Sequence, residues 1–171
     1  MTPAPRQPPR RAALAPAVLV ALAFAVAGCH DAASIVQGGD AATSPRAITP
    51  RVSIAATGAA AVVTIALDTQ GGVGRVGSFT GRLRFDAAGL RYDGSAPVAG
   101  LLAVNPAAGE VRVAGASADG LDVTRLAELR FTVTNPAALP GLRFEITEMH
   151  ELSRADLRAL LRPGAPPRIV R

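Results

Sequence analysis

The chain has 171 residues, with 18 arginines and no lysine against 13 acidic residues, one cysteine, one tyrosine and no tryptophan. That length suits one domain with one core rather than several catalytic domains, and a single cysteine excludes an internal disulfide. With only His30 and His150 present, a metal site of several His ligands is excluded.

At the N-terminus Arg6, Arg10 and Arg11 precede an uncharged run from Ala12 to Gly28 dominated by Ala, Val and Leu, the n-region and h-region of an export signal. The run of about 17 residues is at the short limit for a spanning helix, and Pro16 interrupts it. A cleaved signal over residues 1–28 is therefore expected. It ends in Val26-Ala27-Gly28-Cys29, which resembles the bacterial lipobox, where the thiol after the small residues receives a diacylglycerol. Cys29 is thus the expected lipidation site and membrane anchor; an ordinary secretory signal with an incidental cysteine is the alternative. The residue after Cys29 is His30 rather than Asp, which under the sorting rule of enteric lipoproteins places the protein in the cell envelope at the outer membrane. Without the three arginines of the leader, fifteen remain against thirteen acids. A net charge of about +2 argues against a nucleic-acid partner.

From His30 to Pro50 the chain is rich in Ala, Gly, Ser, Thr and Asp with no hydrophobic period, so residues 29–50 read as a flexible tether. As a coil of about 20 residues it would hold a domain on the order of 25 Å from the lipid. Residues 51–150 then alternate with a period of two. Phe79, Leu83 and Phe85 face one way and Thr80, Arg82 and Arg84 the other, the pattern of a half-buried strand. The same alternation recurs in Val63, Ile65 and Leu67, in Val111 and Val113, in Ala127, Leu129, Phe131 and Val133, and in Leu142, Phe144 and Ile146. Turn signals separate the runs at Gly71-Gly72, Asp86 to Gly89, Asp93-Gly94, Asn105 to Gly109, Asp119-Gly120, Asn135-Pro136 and Pro140-Gly141. Short strands without interleaved helices predict an all-β antiparallel sandwich with Phe85, Phe131 and Phe144 in one core. Over 151–171, Ser153-Arg154-Ala155-Asp156 reads as a capping box opening about two turns of helix, with Leu157, Leu160 and Leu161 on one side. Pro163-Gly164 ends it, and an extended tail follows through Ile169 and Val170.

Three stretches carry a family resemblance. They are Gly81 to Tyr92, a strand followed by an Asp-x-x-x-Leu turn; Asn105 to Ala114, a turn into Glu-Val-Arg-Val-Ala; and Leu126 to Val133, reading Leu-Ala-Glu-Leu-Arg-Phe-Thr-Val. In this order they resemble a cohesin-type domain, the dockerin-binding module of cellulosomes that also occurs alone in bacterial secreted proteins. Ala87 stands where that family usually has Pro, and a C-terminal helix is outside its usual pattern. The resemblance implies a jelly-roll β-sandwich of about nine strands, no catalytic activity and a recognition surface on one sheet face. Carbohydrate-binding modules share this fold superfamily, so polysaccharide is the neighbouring implication.

Other chemistry is weak. Gly72-Val73-Gly74-Arg75-Val76-Gly77 matches a phosphate-binding glycine pattern, but that pattern must open a helix and here a strand is expected, so a hairpin loop accounts for it. A Ser-His-Asp triad would have only His150 to use, and no G-x-S-x-G elbow is present. Glu110, Asp119, Asp122 and Glu128 are candidates for paired glycosidase carboxylates, or else cap turns and pair with arginines across strands. No catalytic residue, cofactor or metal is expected. Sugar platforms need exposed aromatic faces, and Tyr92 is the one candidate. Thr80, Arg82, Arg84, Arg112, Arg130 and Arg143 share the outward phase of their strands and form, with Tyr92, the candidate binding face. The loops Gly71 to Gly77 and Ser117 to Asp122 are the remaining candidates. The sequence thus predicts a lipid-anchored, non-catalytic envelope module that binds a protein partner. Polysaccharide binding, or a structural envelope role without a specific ligand, is the alternative.

Overall fold

Period-two patterning produces nine strands within residues 45–170, the residues that the computed structural model describes. The expected signal over 1–28, the expected lipidation site Cys29 and the part of the expected tether up to residue 44 lie outside the described residues, as does Arg171. The strands are β1 (Ala47–Thr57), β2 (Ala60–Gln70), β3 (Val76–Arg84), β4 (Leu90–Ala96), β5 (Leu101–Ala107), β6 (Glu110–Ala116), β7 (Ala127–Val133), β8 (Arg143–Glu151) and β9 (Arg168–Val170). One sheet has the order β4-β7-β2-β1-β9 and the other β5-β6-β3-β8. Neighbours are antiparallel except β9, which lies parallel to β1.

The inward faces of both sheets meet in one core. Ile54, Val63, Ile65, Leu129 and Phe131 come from the first sheet, and Phe79, Leu83, Val111, Val113, Phe144 and Ile146 from the second. Each such side chain contributes about 1.5–3 kcal/mol on burial. Phe85, expected inside with Phe131 and Phe144, is half-buried just past the end of β3 and packs edge to face on Phe131, ring centroids 5.2 Å apart. Two glycines make room for aromatics. Gly115 is the cross-strand partner of Phe79, and a Cβ there would fall 2.4 Å from Phe79 Cε1. At Gly81 an added Cβ would fall 2.6 Å from Phe144 Cζ.

Several local expectations are corrected. Asp93-Gly94 is not a turn: it lies inside β4 at a bulge, and Gly94 has φ 153°. Asn105 and Pro106 belong to β5, and only Ala108 and Gly109 turn; Pro is tolerated because β5 is an edge strand. β1 begins at Ala47 rather than at 51, with Ile48 fully buried. The C-terminal helix is a 3-10 turn of three residues, Arg158–Leu160, instead of two α-helical turns. Ser153 does not cap it. Its hydroxyl donates to Glu151, Arg154 adopts φ 68°, and Asp156 accepts from the Arg158 backbone.

The physical reason is that strand pairing competes for this segment. Leu157 N–H donates to the Met149 carbonyl and Arg162 N–H to the Ile48 carbonyl. The tail therefore crosses from β8 to β1 and closes that side of the sandwich, with Leu157 buried and Leu160 and Leu161 packed on the core. It then supplies β9 from the stretch expected to be extended.

Candidate functional site

The outward side of the four-stranded sheet is set by the registers of β5, β6, β3 and β8. One cross-strand row reads Asn105, Arg112, Arg82 and Glu145, and its neighbour reads Ala107, Glu110, Arg84 and Arg143. On the other side of the first row come Ala103, Ala114, Thr80 and Glu148, then Leu101, Ala116, Ser78 and His150. One half of the face is thus mostly charged, and the other has small residues on β6 and β3, with Ala103 and Leu101 on β5 and Glu148 and His150 on β8 at its edges. Thr80, Ala103, Asn105, Arg112 and Ala114 surround a depression of about 160 Å³ between the halves.

The charged half is interleaved. Arg82 Nε donates to Glu145 Oε2 at 3.0 Å, and Arg112 Nε to Glu110 Oε1 at 2.9 Å. Arg84 Nε stands 3.6 Å from Glu110 Oε2. The hydrogen bond from Arg112, with the nearby charges of Arg112, Arg82 and Arg84, holds the Glu110 carboxyl below its ordinary range. Arg143 faces its own turn, donating to the carbonyls of Pro140 and Leu142. Arg112 and Arg84 stay 71% and 58% exposed. Exposed pairs of this kind add little to stability. Glu110 and Glu145 offset part of the repulsion among the three guanidinium groups, and each fork keeps donors free for a ligand carboxylate.

Five of the seven sequence candidates, Thr80, Arg82, Arg84, Arg112 and Arg143, therefore share one sheet face. Two do not. Arg130 points outward from β7, in the five-stranded sheet. Tyr92 lies on β4, half-buried against the core, its ring edge to face with Phe131 at 5.7 Å. Sequence reasoning missed Ala103, Asn105 and Ala114. The available signal was the alternation of Leu102 and Val104 inward with Ala103 and Asn105 outward.

Tyr92 has a setting of its own. With Phe85 it lines a groove of about 550 Å³ at the end of the sandwich formed by the β3–β4 turn and the β5–β6 hairpin, with Arg91 and Thr134 also on it. Arg91 pairs with Asp93 there. The glycine-rich stretch is a loop that leads into β3, but it is not the hairpin expected: β2 lies in the five-stranded sheet and β3 in the four-stranded one, so the loop crosses between sheets. Asp122 caps its turn, accepting from the Thr124 hydroxyl and backbone, and these bonds lower its pKa. Among the described residues no group of three or more His, Cys, Asp or Glu is placed to hold a metal ion.

No known protein-family profile matches the sequence, and no curated protein does. Solved structures match the fold. The sixth cohesin of scaffoldin B from Acetivibrio cellulolyticus, solved in complex with a dockerin, is 17% identical, covering 71% of this chain and 99% of that one, with a TM-score of 0.51. A non-cellulosomal cohesin from the archaeon Archaeoglobus fulgidus is 18% identical over 74% of this chain and 91% of its own, at TM-score 0.52. A Clostridium thermocellum cohesin, also solved with a dockerin, is 14% identical over 72% of this chain and 99% of its own, at 0.51. By these superpositions the two-sheet sandwich has the cohesin fold.

Proposed function

We propose that this protein is a non-catalytic recognition module, lipid-anchored at Cys29 in the cell envelope, that docks a protein partner on the outward face of β5, β6, β3 and β8. The observation that carries the reading is the composition of that face. A stripe of small side chains, Ala103, Ala114 and Thr80, lies beside a row of arginines held in place by Glu110 and Glu145. Small residues let a partner's backbone come close, and the charged row supplies orientation and on-rate. The cohesins of Acetivibrio and Clostridium were solved with dockerins, which supports a protein as the partner class.

Saccharide binding is the second reading, favoured by the groove where Tyr92 and Phe85 present half-buried rings. A photo-crosslinking residue at Ala114 and another at Ala66, on the outward side of β2, separate the possibilities when the protein is exposed to dockerins, envelope proteins and polysaccharides. Protein adducts at 114 and none at 66 support the docking face. Adducts equally frequent at both, or retention by polysaccharide that Tyr92→Ala abolishes, would overturn it.

A further inference from the structure

We propose that the end of the sandwich where the chain enters β1 rests on the membrane surface, with Leu101 and Leu152 reaching into the lipid interface between arginines. The proposal rests on the lipid-anchor reading of Cys29.

The elements at this end are tied together by backbone bonds. Leu152 N–H donates to the Arg75 carbonyl, Ser117 N–H to Gly77 and Leu121 N–H to Val76. Ala47 is paired with Gln70 at the start of β1, and Arg46 reaches Glu151 Oε1 at 3.0 Å. The incoming chain is therefore pinned beside Leu152.

Four large apolar side chains are exposed among the described residues, and two of them are here: Leu101 at 77% and Leu152 at 38%. Scattered exposed leucines need no explanation, but Leu101 lines a shallow hollow and Leu152 lies next to Gly77, another of its lining residues. Its lining is small, with Gly77, Ala99, Gly100, Ala116 and Ala118 among the residues. A Cβ on Gly77 would fall 3.1 Å from Leu152 Cα, so Leu152 is packed against a residue that lines the hollow.

Charge at this end has the arrangement an interface requires. Arg75 and Arg154 are exposed, while Glu151 is taken up by Arg46 and Ser153 and Asp122 by Thr124. Asp119 is the exposed carboxylate that remains on the hollow. Arginine lays its aliphatic stem along an apolar surface and offers its fork to phosphate, and exposed leucines with arginines around them are the composition of interfacial segments.

Reach favours the same end. Cys29 lies 16 residues before Pro45, the first described residue, so an anchor there would join the sandwich at the end where β1 begins. β1 has 11 residues, and a strand of that length spans about 35 Å. An anchor joined at the start of β1 favours this end at the lipid over the far end, which carries the Tyr92 groove. The row of the face that carries Leu101 and Ala116 then meets the membrane, and the rows from Ala103 to Ala107 stand clear of it for a partner.

The test uses the lipidated full chain in phosphatidylethanolamine and phosphatidylglycerol vesicles. Acylation consumes the thiol of Cys29, so Leu101→Cys, Leu152→Cys and Ala108→Cys each carry one labelling site for an environment-sensitive fluorophore. Labels at 101 and 152 are expected to shift to the blue and to be quenched severalfold more by lipid-borne nitroxide than the label at 108, in the β5–β6 turn. Protein that floats with the vesicles while all three labels are equally hydrated overturns the inference and leaves the anchor standing. Protein that does not float removes both.

Discussion

Phe79 lies in the space a side chain on Gly115 would need. The two are direct cross-strand partners on β3 and β6, and an added Cβ at 115 would fall 2.4 Å from Phe79 Cε1. The ring covers the glycine and turns a weak strand position into core. Gly115→Ala is therefore expected to destabilise by about 1–3 kcal/mol through overpacking. Phe79→Leu should recover part of the loss in the double variant. Thermal denaturation of the single and double variants checks this, and equal melting temperatures for Gly115→Ala and wild type would refute the packing.

Phe131 is 1% exposed and meets Phe85 and Tyr92 edge to face on two sides. Phe131→Ala is expected to cost about 3–5 kcal/mol, a large share of a domain's total stability. Chemical denaturation gives the value, and a midpoint close to wild type would show that the three rings do not form one packed unit.

On the proposed docking face, Arg82→Glu with Arg84→Glu sets like charges beside Glu145 and Glu110. Thermal stability should change little, because these pairs are exposed. Partner association should slow, with the remaining binding less sensitive to salt, since rim charges govern encounter more than folding. Association kinetics at two ionic strengths read this directly. An unchanged on-rate would take the charged row out of recognition.

Acid should loosen the tail and the face together. Bonds from the Arg158 side chain and backbone lower the Asp156 pKa from 3.8 to about 2, and Arg112 lowers that of Glu110 below 4.5. A folded pKa below the unfolded one gives stability that is present above the unfolded value and lost as pH falls through the folded one. Melting temperature should thus stay level from neutral pH to about 5 in respect of these groups and decline from about 4.5 toward 2. Asp156→Asn and Glu110→Gln should each flatten part of that decline. An acid limb identical to wild type in both variants would assign the loss to other carboxylates.

For the proposed anchor, Cys29→Ala is expected to abolish lipid labelling and move the protein to the soluble envelope fraction, because acyl chains supply membrane affinity at about 0.8 kcal/mol per buried CH₂. Fractionation with metabolic lipid labelling decides it, and persistent membrane partition would remove the lipoprotein reading.

The strands legible in the sequence were those whose two faces differ, such as Phe79 to Arg84 and Ala127 to Val133, since alternation is a local signal. Sheet membership was not legible. Arg130 and Arg112 share the same outward phase, yet β7 pairs with β2 and β4 while β6 pairs with β3 and β5. That choice is made by contacts far apart in the chain. Turn signals misled at Gly94, where the glycine serves a bulge, and at Pro106, where an edge strand needs no donor on one side. Ser153 and Asp156 have capping-box spacing, but Leu157 bonds back to Met149, a tertiary pairing that no local window contains. The start of β1 was hidden by Pro45 and Pro50 around Ile48.

The crossing of the C-terminal tail from β8 to β1 sets an order of events. Ile48, near the beginning of the sandwich, is fully buried, and its carbonyl accepts from Arg162 while β9 pairs with Ser53 to Ala55. A chain that emerges N-terminus first, from a ribosome or through a membrane pore, brings out Ile48 more than a hundred residues before its cover. Until Leu157 and Leu161 follow, the seam between β1 and β8 is open and an unpaired strand edge is on offer to any neighbouring chain. Maturation of this sandwich therefore ends with its last residues, and a chain released early has its first strand uncovered.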